Sequence, residues 1–374
     1  MKILLFAGAF YPSQKGGPSY AIYWRASGLA HAGYEVKVVA SNEQLENVNL
    51  QFDQWLDLNG FKVVYAQKEN RELFFDQALT ESDVLMASGV CSVKSYFRKR
   101  KALKLGKKVV LSPRGELLDP AVFHKGKMYG MLKKTIFYSM RILFAKKTVF
   151  HATSDEEYNA IRKYMGKRAK IVVIPNYMIL PDRVDDASVS KERKKLVYVG
   201  RLNPIKNLEL LIRCVAKSSS FNKGNYELHI AGTGNPDYCN ALVQLTKELG
   251  VKDKVVFLGQ VEGKEKDTLY ANAKCSFLVS KSENFGNVVI EALCQGTPVI
   301  TSKGTPWKEL KDFNAGDWVE ANEEEITAAI DKILSLDSVA YDEMRKNCLR
   351  LADSYNIYTH MEQWEELLKD MMAS

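Results

Sequence analysis

Short apolar runs alternate with amphipathic stretches along almost the whole chain. Runs of about four to eight residues, bounded by turn residues, are typical of strands buried on both faces of a sheet. In the first half they predict strands at Lys2–Ala9, Glu35–Ala40, Phe61–Tyr65, Val84–Ala87, Lys108–Ser112, Thr148–Ala152 and Ile171–Ile174. In the second half they predict strands at Leu196–Val199, Tyr226–Ile230, Val255–Leu258, Cys275–Val279 and Pro298–Thr301.

Between these runs, apolar residues recur at helical spacing. This pattern predicts helices at Tyr20–Ala32, Leu208–Ala216, Cys239–Leu249, Lys264–Ala273, Asn287–Gln295 and Tyr355–Met372, and a capping box at Ser154–Glu157 begins another. Strands that alternate with helices indicate parallel sheets covered on both faces. Because the pattern restarts after the polar stretch 181–195, the sequence predicts two α/β domains.

Composition narrows the classes of protein that fit. The chain has 374 residues, 46% of them hydrophobic and 26% charged, which is ordinary for a globular protein. No stretch approaches the roughly 18 apolar residues of a membrane-spanning helix, and Met1–Gly8 lacks the long apolar region of a signal peptide. The six cysteines are scattered, which favours reduced thiols over a disulfide framework. We therefore expect a cytoplasmic protein.

Much of the net charge of +8 lies in the N-terminal half, where 98–108 holds seven Lys and Arg residues and no acid. This predicts a basic face suited to an anionic membrane or a pyrophosphate-linked acceptor, although a solvated surface that aids solubility gives the same charge. Nucleic-acid binding is disfavoured because aromatic residues do not interleave with the basic run.

The segment 280–293 carries the strongest candidate chemistry. Glu283 follows a predicted buried strand, at the end where open α/β sheets bind ligands. Gly286 permits close backbone approach, and free N–H groups at the start of the next helix form an anion site. Glu291 lies on that helix, away from its apolar stripe. The segment fits a binding site for a diphosphate flanked by two carboxylates. The alternative interpretation is that Glu283 is an ordinary acid at a helix start and Glu291 a solvated surface acid.

Two cations follow the first predicted strand of the second half, in the segment 199–207. Arg201 can bind phosphate oxygens with its planar fork, and Lys206 adds a point charge. Because charge grows on a leaving diphosphate as a glycosidic bond breaks, fixed cations here act on the transition state. The alternative interpretation is that Arg201 and Lys206 are surface cations without a function.

Glycine loops follow other strands, at Gly16 and Gly17 and at Gly232, and either cover a diphosphate or are ordinary connections. The absence of G-x-G-x-x-G and of an acid after the second strand disfavours a dinucleotide cofactor. Ser112–Leu117 brings Arg114 and Glu116 to another strand end.

Asp119 and His124 are weaker candidates in the loop that follows. No D-x-D motif is present, and the histidines have no ligand spacing. We therefore expect no metal and no cofactor, with cations and the helix tip acting on the diphosphate instead.

In the joint order of these motifs, the chain resembles the family 4 glycosyltransferases, also called group 1, which have the GT-B fold. The matching motifs are Gly16-Gly17, Ser112–Gly115, Thr153-Ser154 with Glu157, Ile174–Asn176, Gly200–Leu202 with Lys206-Asn207, Ala231–Gly234, and Glu283 with Phe285, Gly286 and Glu291. The resemblance implies two Rossmann-like domains that face a central cleft. These are an acceptor domain at 1–178 and a nucleotide-sugar donor domain at 179–354, and a helix at 355–374 packs back on the first.

The resemblance also implies roles for single residues. Arg201 and Lys206 would bind the diphosphate, Glu291 the ribose, and the donor sugar would contact Glu283, Asn284, Phe285, Gly286 and Asn287. The backbone near Val261 would bind the base. In a front-face attack the leaving diphosphate helps to remove the acceptor proton, so no protein nucleophile is needed. Arg114 stands where many relatives have histidine, and Tyr177 stands where they often have glycine.

We therefore predict a retaining, metal-independent transfer from a nucleotide-diphosphate sugar to a lipid-linked or growing saccharide in bacterial surface polysaccharide synthesis. A GT-B nucleotide-sugar epimerase or hydrolase is the alternative enzyme. The stretch 128–144 is either an interfacial helix, which would hold the protein on the inner face of the plasma membrane, or an ordinary helix with a buried face.

Overall fold

A computed structural model describes residues 1–13, 17–43, 45, 48, 50–90, 93–118, 127–185, 187, 189–190 and 192–373. The chain forms two compact units. The first comprises Met1–Ile179 and Ile357–Ser374, and the second comprises Leu180–Asn356. The domain limits expected from the sequence were 178/179 and 354/355.

The first unit is built around an eight-stranded sheet in the order β3-β4-β2-β1-β5-β6-β7-β8. The strands are β1 (Lys2–Phe6), β2 (Glu35–Ser41), β3 (Trp55–Leu58), β4 (Phe61–Ala66), β5 (Val84–Ser88), β6 (Lys108–Ser112), β7 (Val149–Ala152) and β8 (Lys170–Val173). All neighbours pair in parallel except β3 and β4. The antiparallel pair turns at Asn59-Gly60, where both residues have positive φ as a tight hairpin requires.

Helices cover both faces of this sheet. They are α1 (Gly17–His31), α2 (Arg71–Glu81), α3 (Val93–Lys104), α4 (Lys127–Phe144) and α5 (Asp155–Met165). The serine half of the predicted capping box is present, because Ser154 Oγ accepts a hydrogen bond from the N–H of Glu157 at the start of α5, while the Glu157 carboxylate accepts the N–H of Thr153 instead of that of Ser154. Two apolar cores result, one on each face of the sheet.

The second unit has a fully parallel six-stranded sheet in the order β11-β10-β9-β12-β13-β14. Its strands are β9 (Lys195–Val199), β10 (Glu227–Ala231), β11 (Val255–Gly259), β12 (Ala273–Leu278), β13 (Val299–Ser302) and β14 (Gly316–Val319). Numbered within the unit, this is the order 3-2-1-4-5-6 of the Rossmann fold. The expected architecture of parallel α/β units is therefore confirmed.

The helices of the second unit enclose one continuous apolar cluster. They are α6 (Leu208–Lys217), α7 (Ser219–Lys223), α8 (Pro236–Glu248), α9 (Gly263–Ala271), α10 (Asn287–Cys294), α11 (Glu309–Asp312), α12 (Glu323–Leu334) and α13 (Ser338–Asp353). The predicted helix starts at 208, 264 and 287 agree with the structure to within one residue, and Asn207 and Gly286, both with positive φ, precede the first and the third.

The final helix, α14 (Glu362–Ala373), belongs to the first unit. The prediction that it begins at Tyr355 is wrong, because the preceding residues form turns and Ile357 N–H donates to Met178 O at 2.9 Å. Trp364 and Leu368 are buried as the amphipathic pattern predicted. They pack into the same core as β1 and α1, so the helix returns to the N-terminal sheet.

Candidate functional site

The second unit has a topological switch point between β9 and β12, its first and fourth strands. Loops that leave such neighbouring strands run to opposite sides and open a crevice at the carboxyl edge of the sheet. The loop after β9 carries Arg201 and Lys206, and the loop after β12 carries Glu283. The fold therefore gathers three of the predicted residues at one edge.

Lys206 and Glu283 form an ion pair although 77 residues separate them in the chain. Lys206 ends a short 3-10 turn, Pro204–Lys206, which begins where Asn203 Oδ1 accepts the N–H of Ile205 at 3.1 Å. The N–H of Lys281 donates to Ile205 O at 2.8 Å and joins the two loops. The two charged side chains are 18% and 19% exposed, so a ligand can reach both.

Arg201 lies at the same edge with its side chain exposed. Its backbone is fixed, because the Tyr198 hydroxyl donates to Arg201 O at 3.0 Å. Within the described residues, the Arg201 guanidinium has no ion pair with a carboxylate. The Arg201 side chain is therefore accessible at this edge, and its role in binding a diphosphate stays a prediction.

Gly286 is the N-cap residue of α10 and has φ +85°, in the left-handed region. A Cβ atom here would also collide with Leu278 Cδ2, so glycine is required. Within the described part of the chain, the backbone N–H groups of Gly286, Asn287 and Val288 donate to no acceptor. These N–H groups form the donor cluster that a helix start offers to an anion.

Glu291, the predicted ribose ligand, lies on α10 and is 15% exposed. Its Oε1 atom is 3.0 Å from Lys266 Nζ on α9. The sequence did not single out Lys266, because nothing in the helical pattern of α9 indicates a partner on another helix. The pair fixes one oxygen of the carboxylate and leaves Oε2 for other donors.

Gly232 differs from its expected role as a backbone donor. Its N–H donates to Gly259 O at 2.6 Å, so this group is already satisfied. A Cβ on Gly232 would collide with Gly200 O, so here glycine permits the loops after β9 and β10 to approach each other. Val261, expected near the base, is largely buried just after β11.

The remaining predicted residues of the donor loop and the glycine loop are placed as follows. Asn284 and Phe285 lie between Glu283 and the N-cap of α10, and Phe285 is buried. Gly17 is the first residue of α1. Gly16, Asp119 and His124 lie outside the described residues.

In the first unit, Arg114 follows β6 with φ +52° and donates from Nε to Ser88 Oγ at 3.0 Å. Burial lowers the pKa of Arg114 to about 10, with the Glu157 carboxylate opposing the shift, so the side chain stays charged at neutral pH. The next peptide is fixed by Glu157, which accepts the N–H groups of Gly115 at 2.7 Å and of Thr153 at 2.8 Å.

A buried network beside Arg114 was not predicted. Arg25, on α1, donates to Ser112 Oγ at 3.2 Å and lies 3.3 Å from His151 Nδ1, with its guanidinium 4.3 Å from the centre of the Trp364 ring. His151 Nε2 donates to Ile174 O at 2.8 Å. Burial, and then Arg25, hold the pKa of His151 well below its usual value, so its ring is neutral. These contacts join α1, β6, β7 and α14.

The described residues contain no group of three or more His, Cys, Asp or Glu side chains that could hold a metal ion. Among the described helices, none combines the length and the apolar character needed to cross a bilayer. A cavity of about 640 Å³ lies in the first unit at the amino ends of β6, β7 and β8. It contains none of the predicted site residues, which lie at carboxyl edges.

Comparisons with known proteins show similarity to glycosyltransferases in sequence and in fold. Residues 182–352 match the family described as Glycosyl transferases group 1. An uncharacterised glycosyltransferase of Methanocaldococcus jannaschii is 38% identical over 149 residues, which is 39% of this chain and 37% of that protein. The O-antigen biosynthesis glycosyltransferase WbnH of Escherichia coli is 26% identical over 59% of each chain. The matches thus span from about a third to three-fifths of these relatives.

The crystal structure of Anabaena HepE in complex with UDP and glucose superposes with a TM-score of 0.71, at 19% identity, over 99% of this chain and 100% of HepE. At this identity the likeness establishes the fold. It is the GT-B fold of glycosyltransferases.

Proposed function

We propose that this chain is a retaining glycosyltransferase that takes its sugar from a nucleotide diphosphate, since residues 182–352 match the family described as Glycosyl transferases group 1. The observation that carries the proposal is the meeting of Lys206 and Glu283 at the switch point of the second sheet. A cation and an acid at that position fit a ligand that has both a phosphate and sugar hydroxyls.

Three groups would stabilise the leaving diphosphate. Arg201 and Lys206 supply fixed positive charge, and the unpaired N–H groups at the start of α10 supply oriented dipoles. Since these groups can offset the charge that grows on the leaving diphosphate, the proposed mechanism requires no metal. Glu283 would accept sugar hydroxyls, and Glu291 would accept those of the ribose through Oε2 while Lys266 holds Oε1.

The acceptor is proposed to be a lipid-linked or growing saccharide of a bacterial surface polysaccharide. The similarity to an O-antigen biosynthesis enzyme supports this class of acceptor, and the UDP and glucose bound to HepE support a nucleotide-sugar donor. Arg114 stands at the carboxyl edge of the first sheet as a fixed cation for this chemistry. Front-face attack, with the diphosphate taking the acceptor proton, accounts for retention without a protein nucleophile.

The first experiment measures thermal unfolding with UDP-, GDP-, ADP-, CMP- and dTDP-sugars, each with and without EDTA. We expect a rise in Tm with one nucleotide family that EDTA does not abolish, since a ligand that binds only the folded state stabilises it. A rise that EDTA removes would contradict metal independence. No rise with any donor, together with no transfer to lipid-linked acceptors, would contradict the function.

A GT-B epimerase or hydrolase would bind the same donors. The two activities separate when donor is incubated without acceptor. The transferase predicts slow donor loss that accelerates when saccharide acceptor is added, with the anomeric configuration of the donor kept in the product. Rapid release of a 2-epimer and free nucleotide in the absence of acceptor would favour the epimerase.

We also propose that the first unit contacts anionic membrane through α3 and α4. Neither helix contains an acid, and Tyr96 and Phe144 bring them together with ring centres 5.2 Å apart. The residues Phe137, Met140 and Phe144 of α4 are buried, while Met131, Tyr138 and Ile142 are each at least 64% exposed. Exposed apolar groups among Lys and Arg are typical of an interfacial helix.

Flotation with phosphatidylcholine vesicles, with and without phosphatidylglycerol, tests this contact at low salt. Replacing Tyr138 and Ile142 by Ser should reduce binding to the anionic vesicles at least about a hundredfold, because full burial of each apolar side chain contributes roughly 1.5–3 kcal/mol and every 1.4 kcal/mol is about a factor of ten. The matched control replaces Leu73 and Val339, which are also exposed, by Ser. Failure of the unaltered protein to float, or an equal loss in the control, would contradict the membrane contact.

A further inference from the structure

Trp307 lies in the loop after β13 and is buried, with 1% of its surface exposed. Its indole N–H donates to the carbonyl oxygen of Phe285, next to the N-cap of α10. The ring centres of Trp307 and Phe285 are 5.1 Å apart. No part of Trp307 carries charge or faces solvent, and the sequence pattern gave no reason to connect it with the donor loop.

The bond to Phe285 O fixes a single peptide unit. The carbonyl of Phe285 and the N–H of Gly286 belong to the same planar trans peptide and therefore point in opposite directions. With the oxygen held by Trp307, the N–H of Gly286 must point away from the tryptophan. Glycine at φ +85° offers little resistance to rotation of this peptide, so the indole bond selects between its two orientations.

Two further bonds tie the same loop to the segment around Trp307. The N–H of Glu283 donates to Gly304 O at 2.8 Å, and Ser302 Oγ donates to Ser280 O at 2.6 Å. The stretch 302–307 thus holds the stretch 280–285 at three points. A loop held in this way keeps its donors in place before a ligand arrives, which is the condition for electrostatic stabilisation of a transition state.

We propose that Trp307 is a positioning residue for sugar transfer, which aims the N–H of Gly286 at the donor diphosphate and sugar. This inference rests on the proposed function. Trp307 itself contacts no substrate and acts only through the Phe285–Gly286 peptide. The competing explanation is that Trp307 merely fills the core beside Phe285 and Tyr355, whose ring centre is 5.3 Å away.

Trp307→Phe separates the two explanations, because phenylalanine keeps an aromatic ring and lacks the N–H. Trp318→Phe is the matched control: its indole N–H also donates to a backbone carbonyl, that of Thr305 at 2.9 Å, so it contacts the supporting stretch 302–307 but not the Phe285–Gly286 peptide. Both variants lose one indole hydrogen bond. Positioning predicts that only Trp307→Phe alters catalysis.

The expected result for Trp307→Phe is a fall in kcat of about 10- to 100-fold, below the roughly 10²- to 10³-fold cost of deleting a donor that touches the oxyanion directly. Trp318→Phe should keep kcat within about twofold at a comparable loss of Tm. If Trp307→Phe does not fold, 3-benzothienylalanine at this position replaces the N–H by sulfur with nearly the same shape. A kcat within twofold of the unaltered protein in either Trp307 variant would overturn the proposal.

A readout without turnover keeps the inference apart from the proposed function. Amide hydrogen exchange of the segment 283–290, followed with the nucleoside diphosphate that raises Tm, should show protection in the unaltered protein and in Trp318→Phe. Trp307→Phe should lose that protection. Equal protection in all three proteins would overturn the positioning role alone, whereas absence of nucleotide binding and transfer in the unaltered protein would overturn the proposed function and this inference together.

Discussion

The two sheets present their charged residues in different ways at their carboxyl edges. In the second unit two pairs of charged side chains are 15–24% exposed, namely Lys206 with Glu283 and Lys266 with Glu291, and Arg201 is exposed without an ion pair among the described residues. In the first unit Arg25, His151 and Glu157 are 6%, 0% and 1% exposed and are bound to backbone, to each other or to neutral groups.

This difference in exposure indicates different roles for the two sets of charged residues. A partly exposed ion pair contributes little to stability and can exchange partners for a ligand, whereas a buried polar network is costly to open. This contrast supports the proposal that the donor binds at the edge of the second sheet. The network of the first unit acts as rigid support that fixes the loop of Arg114 and anchors α14.

The largest expected effect comes from removing the indole ring of Trp364, which packs against Arg25 in the buried network of the first unit. Trp364→Ala should destabilise the first unit by about 3–5 kcal/mol, because it leaves a cavity and uncovers the Arg25 guanidinium. Hydrogen exchange would show this as faster exchange in β6 and β7, by roughly two to four decades, with β9 and β10 unchanged. Equal acceleration in both sheets would contradict independent support.

Removing cations and acids at the second edge should affect turnover and leave the fold intact. Arg201→Ala and Glu291→Ala should each lower kcat/KM about 10²- to 10³-fold, roughly 3–4 kcal/mol, by removing groups that face the donor. Lys217→Ala is the control, since it breaks an exposed pair with Glu323 elsewhere in the same unit. Normal activity in both donor-site variants would remove the assignment.

The buried His151 ring predicts a pH dependence of stability. Its folded pKa lies below the unfolded value, so the unfolded state binds more protons and stability falls as pH drops below about 6.5. The contribution is at most about 1.4 kcal/mol per pH unit in that range and vanishes at higher pH. Urea unfolding from pH 7.5 to 5.5 should give a shallower slope for His151→Gln. The same slope in both proteins would contradict a neutral buried ring.

The smallest effect is expected at Lys266. Lys266→Met should raise the KM for donor about three- to tenfold with kcat nearly unchanged, because Glu291 loses an orienting contact and keeps its carboxylate. Lys264→Met, at an exposed position on the same helix, is the control. A larger loss in kcat than in KM would mean that Lys266 acts on the reaction itself.

The sequence predicted most of the fold because buried parallel strands are continuous apolar runs, and both sheets contain such runs. Two strands escaped this pattern. Trp55–Leu58 is a short edge strand whose side chains are partly exposed, and Gly316–Val319 contains a glycine and an aspartate. Each is a strand because its neighbour in the sheet completes its hydrogen bonds, which local periodicity does not report.

The candidate site divides in the same way. The positions of Arg201, Lys206 and Glu283 were predictable because each follows a strand at a recognisable turn, and that of Glu291 because it lies off the apolar stripe of the helix that follows Gly286. Arg25 and Trp307 were not, because their contacts are made at long range: Arg25 lies 87 residues from Ser112, and Trp307 lies 22 residues from Phe285. Residues that position a site through long-range contacts have no local sequence pattern that indicates this role.

The most direct test of the central claim is calorimetric titration, in EDTA, of the nucleoside diphosphate that raises Tm. The titration would compare the unaltered protein with Arg201→Ala and Arg114→Asn, since asparagine tolerates the positive φ at position 114. The account predicts at least about a tenfold weaker Kd for Arg201→Ala, the loss of a charge-assisted contact, and a Kd within twofold for Arg114→Asn. Weaker binding in Arg114→Asn with Arg201→Ala unchanged would place the diphosphate on the first unit and contradict the account.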